Sequence, residues 1–96
     1  VVVFVDVDDT LVRSASTKRI PLPAVVSRLR ELNSQGAEMY LWSSAGAAYA
    51  REAAQEVGLD DCFVGFLPKP QVYIDDQAVS EWRYCRHVHP SQVDSV

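Results

Sequence analysis

Asp6, Asp8 and Asp9 fall within one short stretch, directly after the apolar run Val1 to Val5. Carboxylates this close repel one another, so both fold and charge state gain from a cation or from bound protons. Oxygen ligands at this density suit Mg²⁺, a hard ion. Aspartate also ends strands for a plainer reason, since its side chain bonds nearby backbone N–H groups in turns. A second acidic pair, Asp75-Asp76, follows the apolar Val72-Tyr73-Ile74 and repeats the opening pattern. Between the two acidic groups, Ser43-Ser44 ends the apolar stretch Ala37 to Trp42, and Lys69 precedes the second pair. A lone Ser before a helix reads first as an N-cap. The same hydroxyl, with free N–H groups at a helix N-terminus, can also seat a phosphate. A lone Lys reads first as a solvated charge, but beside four carboxylates Coulomb attraction would hold it near them.

The elements that must position these groups can be read in order. A short, β-branched, continuously apolar opening predicts a central strand buried on both faces. Residues 11–21 lack clear periodicity and predict a loop or short hairpin, carrying Ser14, Ser16, Thr17, Arg13, Lys18 and Arg19. Pro21 and Pro23 announce a helix; Val25, Val26, Leu29 and Leu32 keep helical spacing, and Gly36 closes it. Ala37 to Trp42 predicts a second strand, and Ala47 to Val57 a second helix stopped by Gly58. Cys62 to Leu67 predicts a third strand and Gln71 to Ile74 a fourth. A short helix over Ala78 to Trp82, a fifth strand over Tyr84 to Val88 and a polar, weakly ordered tail from Pro90 complete the reading. Strands alternating with helices predict a mainly parallel α/β sheet covered on both faces, a three-layer α/β/α sandwich. Functional groups in such sheets gather at the carboxyl ends of the strands.

At 96 residues the chain predicts one domain, 1–96, with one modest core. Hydrophobic residues at 48% and charged residues at 23% describe an ordinary globular protein. The net charge of −4 argues against a general nucleic-acid or anionic-membrane binder. Cys62 and Cys85 predict two buried thiols in a reducing, cytoplasmic setting. No basic segment precedes the apolar opening, so no signal peptide is expected, and no apolar run approaches a membrane span. His87 and His89 alternate and would face one side of a strand. Without further ligands they read as structural.

The segment Asp6-Val7-Asp8-Asp9-Thr10-Leu11 after an apolar strand resembles the nucleophile motif of the haloacid dehalogenase superfamily. Ser43, Lys69 and Asp75-Asp76 follow in that superfamily's order, and the resemblance spans Val1 to about Ala78. It implies a Rossmann-like core and Mg²⁺-dependent phosphoryl transfer through an aspartyl-phosphate. Asp6 would be the nucleophile, held anionic on the metal, and Asp8 the general acid/base, its backbone carbonyl also on the metal. Asp9 would offer a backbone N–H to phosphate and Thr10 would support the loop. Ser43, with Ser44 able to do similar work, and Lys69 would hold phosphate. Asp76 would bind Mg²⁺, with Asp75 a second ligand or its support. The intervals between motifs are too short for a cap domain, so the resemblance is to a small capless member.

The expected function is therefore a Mg²⁺-dependent phosphatase acting on a phosphate monoester, on a small molecule or a macromolecule. A homo-oligomer in which a second subunit lends a cap is left open. The competing reading is a non-catalytic module that keeps the fold and binds metal or phosphate. A signalling receiver domain ranks below both, because Cys62 to Leu67 ends without an Asp.

Overall fold

The computed structural model describes residues 1–15 and 17–96; Ser16, placed in the loop above, lies outside the described residues. The chain forms β1 (Val2–Asp6), β2 (Val12–Ala15), β3 (Lys18–Pro21), α1 (Pro23–Ser34), β4 (Glu38–Ser43), α2 (Ala47–Glu56) and β5 (Gly65–Pro68). Short 3₁₀ turns cover Asp60–Cys62, Val79–Glu81 and Pro90–Ser95. Strands β1, β4 and β5 make a parallel three-stranded sheet in the order β1-β4-β5, and β2 and β3 make a separate antiparallel hairpin. The fold is thus a small α/β unit.

Each helix has a local reason for its ends. Pro23 opens α1, where its missing N–H costs nothing. Both helices close with the same paired bonds around a left-handed glycine. Gly36 (φ 86°) donates to Asn33 O while Ala37 donates to Leu32 O; Gly58 (φ 71°) donates to Gln55 O while Leu59 donates to Ala54 O. This satisfies carbonyls that the helix end leaves free, and a side chain at either glycine would strain the turn.

The crossovers β1-α1-β4 and β4-α2-β5 run in one direction across the sheet. Right-handed connections then place both helices on the same face. The core agrees: Val25, Leu29 and Leu32 of α1 and Ala50, Ala53 and Ala54 of α2 share one buried cluster with Val5, Met39 and Leu41. Three alanines at the α2 contact allow the helix to lie close to β4 and β5. The opposite sheet face carries Val2, Phe4, Tyr40 and Trp42, and Val2 and Phe4 are exposed. Two layers are therefore described, and no described helix supplies the second covering layer expected from the sequence.

The larger departure follows β5. No strand forms at Gln71 to Ile74, and Val72 and Ile74 are exposed at 78% and 99%. The reason is connectivity. A parallel neighbour needs a crossover of about a dozen residues, and only Lys69 and Pro70 separate Pro68 from Gln71. Pro68 and Pro70 also remove two ladder donors. The fifth strand expected at Tyr84 to Val88 is likewise absent, and Ala78 to Trp82 contains only the Val79–Glu81 turn. The tail is more ordered than its polarity suggests. Its 3₁₀ turn packs on α1, with Val93 in the core and the Arg28 guanidinium donating to Val96 O. No helix is long and apolar enough to cross a membrane among the described residues.

Candidate functional site

The loop after β1 is a tight, backbone-bonded turn. Val7 O accepts from the N–H groups of Thr10, Leu11 and Val12, and Asp9 N–H donates to Val12 O at 2.7 Å. Asp9 is the one described non-glycine residue at positive φ (62°), a conformation that Asp tolerates better than most. Its N–H is bonded to Val12 O within the turn. Val7 and Leu11 are fully buried, and this anchors the loop so that alternate residues reach outward.

Asp6, at the last position of β1, is bound through both oxygens. Lys69 Nζ lies 3.1 Å from Oδ1, and the Thr10 hydroxyl donates to Oδ2 at 3.1 Å. Lys69 reaches it because its own N–H donates to Ser43 O at 2.9 Å, holding the chain after β5 beside the end of β4. Thr10 acts on Asp6 and on the loop in this arrangement. Ser43 is 2% exposed, and its Oγ accepts from Ala45 N–H at 3.0 Å. It is not the N-cap of α2: that position is Gly46, which brings no side-chain hydrogen bond to the helix. The first turn of α2, which begins shortly after β4, is thus left without a side-chain cap. Ser44 is exposed.

Asp8 belongs to a network that motif spacing did not show. Its Oδ1 accepts from Tyr49 OH at 2.8 Å and from Ser14 OH at 3.3 Å. Arg19 of β3 lies over the Tyr49 ring, 4.4 Å from its centroid, and pairs with Glu56 at 2.7 Å and Glu52 at 4.0 Å. Hydrogen bonding to Glu56, and then to Tyr49, raises the Arg19 guanidinium above its ordinary value, so the cation is fixed. Arg19 therefore clamps the β2–β3 hairpin to α2. Among the described basic residues of this stretch, Arg19 packs on the tyrosine that holds an acid of the site. Tyr49 sits in an alanine-rich helix, and its partner lies 41 residues away; only the fold brings them together.

The Mg²⁺ ligand set does not assemble. Asp6 ends β1 and Asp8 lies in the loop after it, but Asp75 and Asp76 lie on an exposed irregular segment because the fourth strand is not formed. No group of three or more His, Cys, Asp and Glu side chains able to hold a metal occurs among the described residues. The charge of Asp6 is balanced by Lys69. Asp75 Oδ1 instead accepts from Gln77 N–H at 2.9 Å, the plain turn role of an Asp. The residues present do not fit the ion as the sequence suggested. His87 and His89 are not on a strand, and His89 Nδ1 accepts from Ser91 N–H, opening the final 3₁₀ turn. Both cysteines are free, but only Cys62 is buried; Cys85 is exposed. Burial, with the Asp61 charge as a smaller cause, pushes the Cys62 thiol up.

The fold and site define a small α/β protein. It carries a lysine-paired aspartate, a buried serine and a tyrosine-held aspartate at the carboxyl ends of parallel strands. The family model that matches covers residues 1–69 and is described as a protein of unknown function, DUF705; the chain belongs to that family. This corrects the assignment to the haloacid dehalogenase superfamily, for which no family model matches. No curated protein and no solved structure matches the chain.

Proposed function

We propose that the chain is a phosphohydrolase acting on phosphate monoesters, with Asp6 as the nucleophile. The observation that supports this best is the Lys69–Asp6 pair, 3.1 Å apart, beside the buried Ser43 at the end of the adjoining strand. A cation on the nucleophile lessens its repulsion toward a phosphoryl group and can move with the charge as that group arrives. In this reading the β1-α1-β4-α2-β5 order is Rossmann-like, with its chemistry at the carboxyl ends.

The steps follow from the residues. An Asp6 oxygen forms a bond to phosphorus as the ester P–O bond breaks, giving an acyl phosphate. Asp8 protonates the departing oxygen and then takes a proton from the water that hydrolyses the intermediate. Tyr49 and Ser14 hold Oδ1 of Asp8, which leaves Oδ2 as the oxygen to carry that proton. Ser43 and the uncapped first turn of α2 supply neutral donors to the phosphoryl oxygens.

The test is release of inorganic phosphate from an aryl phosphate by the wild type, Asp6→Asn and Asp8→Asn, each with added Mg²⁺ and with EDTA. Asp6→Asn is expected to abolish release, and Asp8→Asn to slow it by about 10²–10⁴. Turnover that survives Asp6→Asn ends the nucleophile assignment. A strict requirement for Mg²⁺ would mean that further ligands must come to the β1 loop from elsewhere in the chain.

A further inference from the structure

We infer that the open aromatic face beside Asp6 selects esters whose phosphate is carried on a planar aromatic ring. This deepens, and rests on, the reading of Asp6 as a phosphate-ester site.

Asp6 and Trp42 are register partners on neighbouring parallel strands, as are Phe4 and Tyr40. Strand alternation puts Phe4 and Asp6 on one face of β1, with Tyr40 and Trp42 beside them on β4. The rings touch: Phe4 lies 5.0 Å from Trp42 in an edge-to-face arrangement and 5.1 Å from Tyr40. Lys69 joins this surface to the site, its Nζ 3.1 Å from Asp6 Oδ1 and 5.8 Å from the Trp42 ring centroid. A phosphoryl group seated on Lys69 therefore has aromatic carbon next to it on the side from which an ester substituent can extend.

The chemistry of the face narrows the substituent. Phe4 is 47% exposed, and the rings offer flat apolar area with few hydrogen-bonding groups. The Tyr40 hydroxyl is already turned to Glu38 Oε2, at 2.9 Å. A sugar would find few partners for its hydroxyls, and Glu38 at the far end repels a chain of further phosphates. A planar ring gains both buried area and the edge and face contacts that aromatic pairs favour.

The experiment titrates phenylphosphonate and methylphosphonate into the wild type, Trp42→Leu, Trp42→Phe and Phe4→Ser by calorimetry, with sedimentation of each protein alongside. The wild type is expected to bind phenylphosphonate about ten-fold more tightly than methylphosphonate, a preference in the range of aromatic pair contacts plus burial. Trp42→Leu should lose most of that preference and Trp42→Phe should keep it. Equal affinity for the two ligands in the wild type, or no binding of either, overturns the inference whether or not the leucine variant folds. So does a preference that Trp42→Leu leaves intact. A wild-type dimer that Phe4→Ser turns into a monomer, with the ligand preference unchanged, assigns the face to a second copy instead. Aromatic preference without phosphate release sinks the hydrolytic reading and leaves the aromatic selection standing.

Discussion

Residues 1–68 supply nearly all of the core, and residues 69–96 very little of it. The first stretch buries Val7, Leu11, Val12, Met39, Leu41 and Leu59 completely, in one cluster between the helices and the inner sheet face. The second leaves Val72, Tyr73, Ile74, Val79, Trp82 and Tyr84 exposed, and places only Val93 in the core among the described residues. The difference is one of partners rather than of residue type. In the first stretch the runs of β4 and β5 return to the sheet through crossovers long enough to align them. In the second, prolines follow β5 and the next apolar run arrives too soon to pair in parallel. The candidate site straddles the boundary: Asp6, Asp8, Ser43 and Tyr49 stand on the packed side, and Lys69 is the first residue past it.

The comparison is most severely tested in the core. Leu41→Ala removes a fully buried side chain and is expected to cost about 2–5 kcal/mol in urea unfolding. A loss below about 1 kcal/mol would mean that the inner sheet face is far looser than its burial implies. The cysteines give a second, smaller contrast, one in each stretch. Cys85 is exposed and Cys62 is buried with its thiol pushed up. Only the thiolate attacks an aromatic disulfide reagent. At pH 8, Cys85 should label at once and Cys62 on the order of 10²-fold more slowly, because its reaction waits for local opening. Equal labelling rates would erase the distinction between the two stretches.

Much of the packed stretch was legible because its signals are local. Strand β1, both helices and their closing glycines follow from apolar period, Pro and Gly placement and β-branching. The hairpin was one of two readings of residues 11–21, and β1 lies at the sheet edge with one open face rather than at its centre, buried on both. That Lys69 would lie near carboxylates was legible from charge alone; that its partner is Asp6 follows from the fold, which holds the chain after β5 at the end of β4. What misled was treating Val72-Tyr73-Ile74 as a strand on composition alone. Counting the two residues between Pro68 and Gln71 would have shown that a parallel partner was out of reach. With that strand gone, Asp75 and Asp76 leave the site. The Arg19–Tyr49–Asp8 network was illegible for the converse reason. Its members lie on a hairpin, a helix and a loop, and no spacing links them. The missing second layer could have been read from topology, since two crossovers in one direction cover one face.

The finest test concerns Ile74, the most exposed large hydrophobic of the second stretch at 99%. Replacing it with Ser removes a side chain that touches little, so the unfolding free energy should change by less than about 0.5 kcal/mol. The urea midpoint and the slope should both stay at their wild-type values. A loss above about 1 kcal/mol, of the size expected for burying part of such a side chain, would show that residues 71–76 pack against the sheet in solution. Asp75 and Asp76 would then be anchored next to a buried segment instead of on an open loop. The outer face or the free edge of β5 would be their nearest support. A Trp42→Leu, Ile74→Ser double variant separates those two outcomes. Coupling between the substitutions would put the segment over the aromatic face, in competition with an aryl substrate. Simple additivity would keep that face open and confine any packing of Ile74 to the β5 edge.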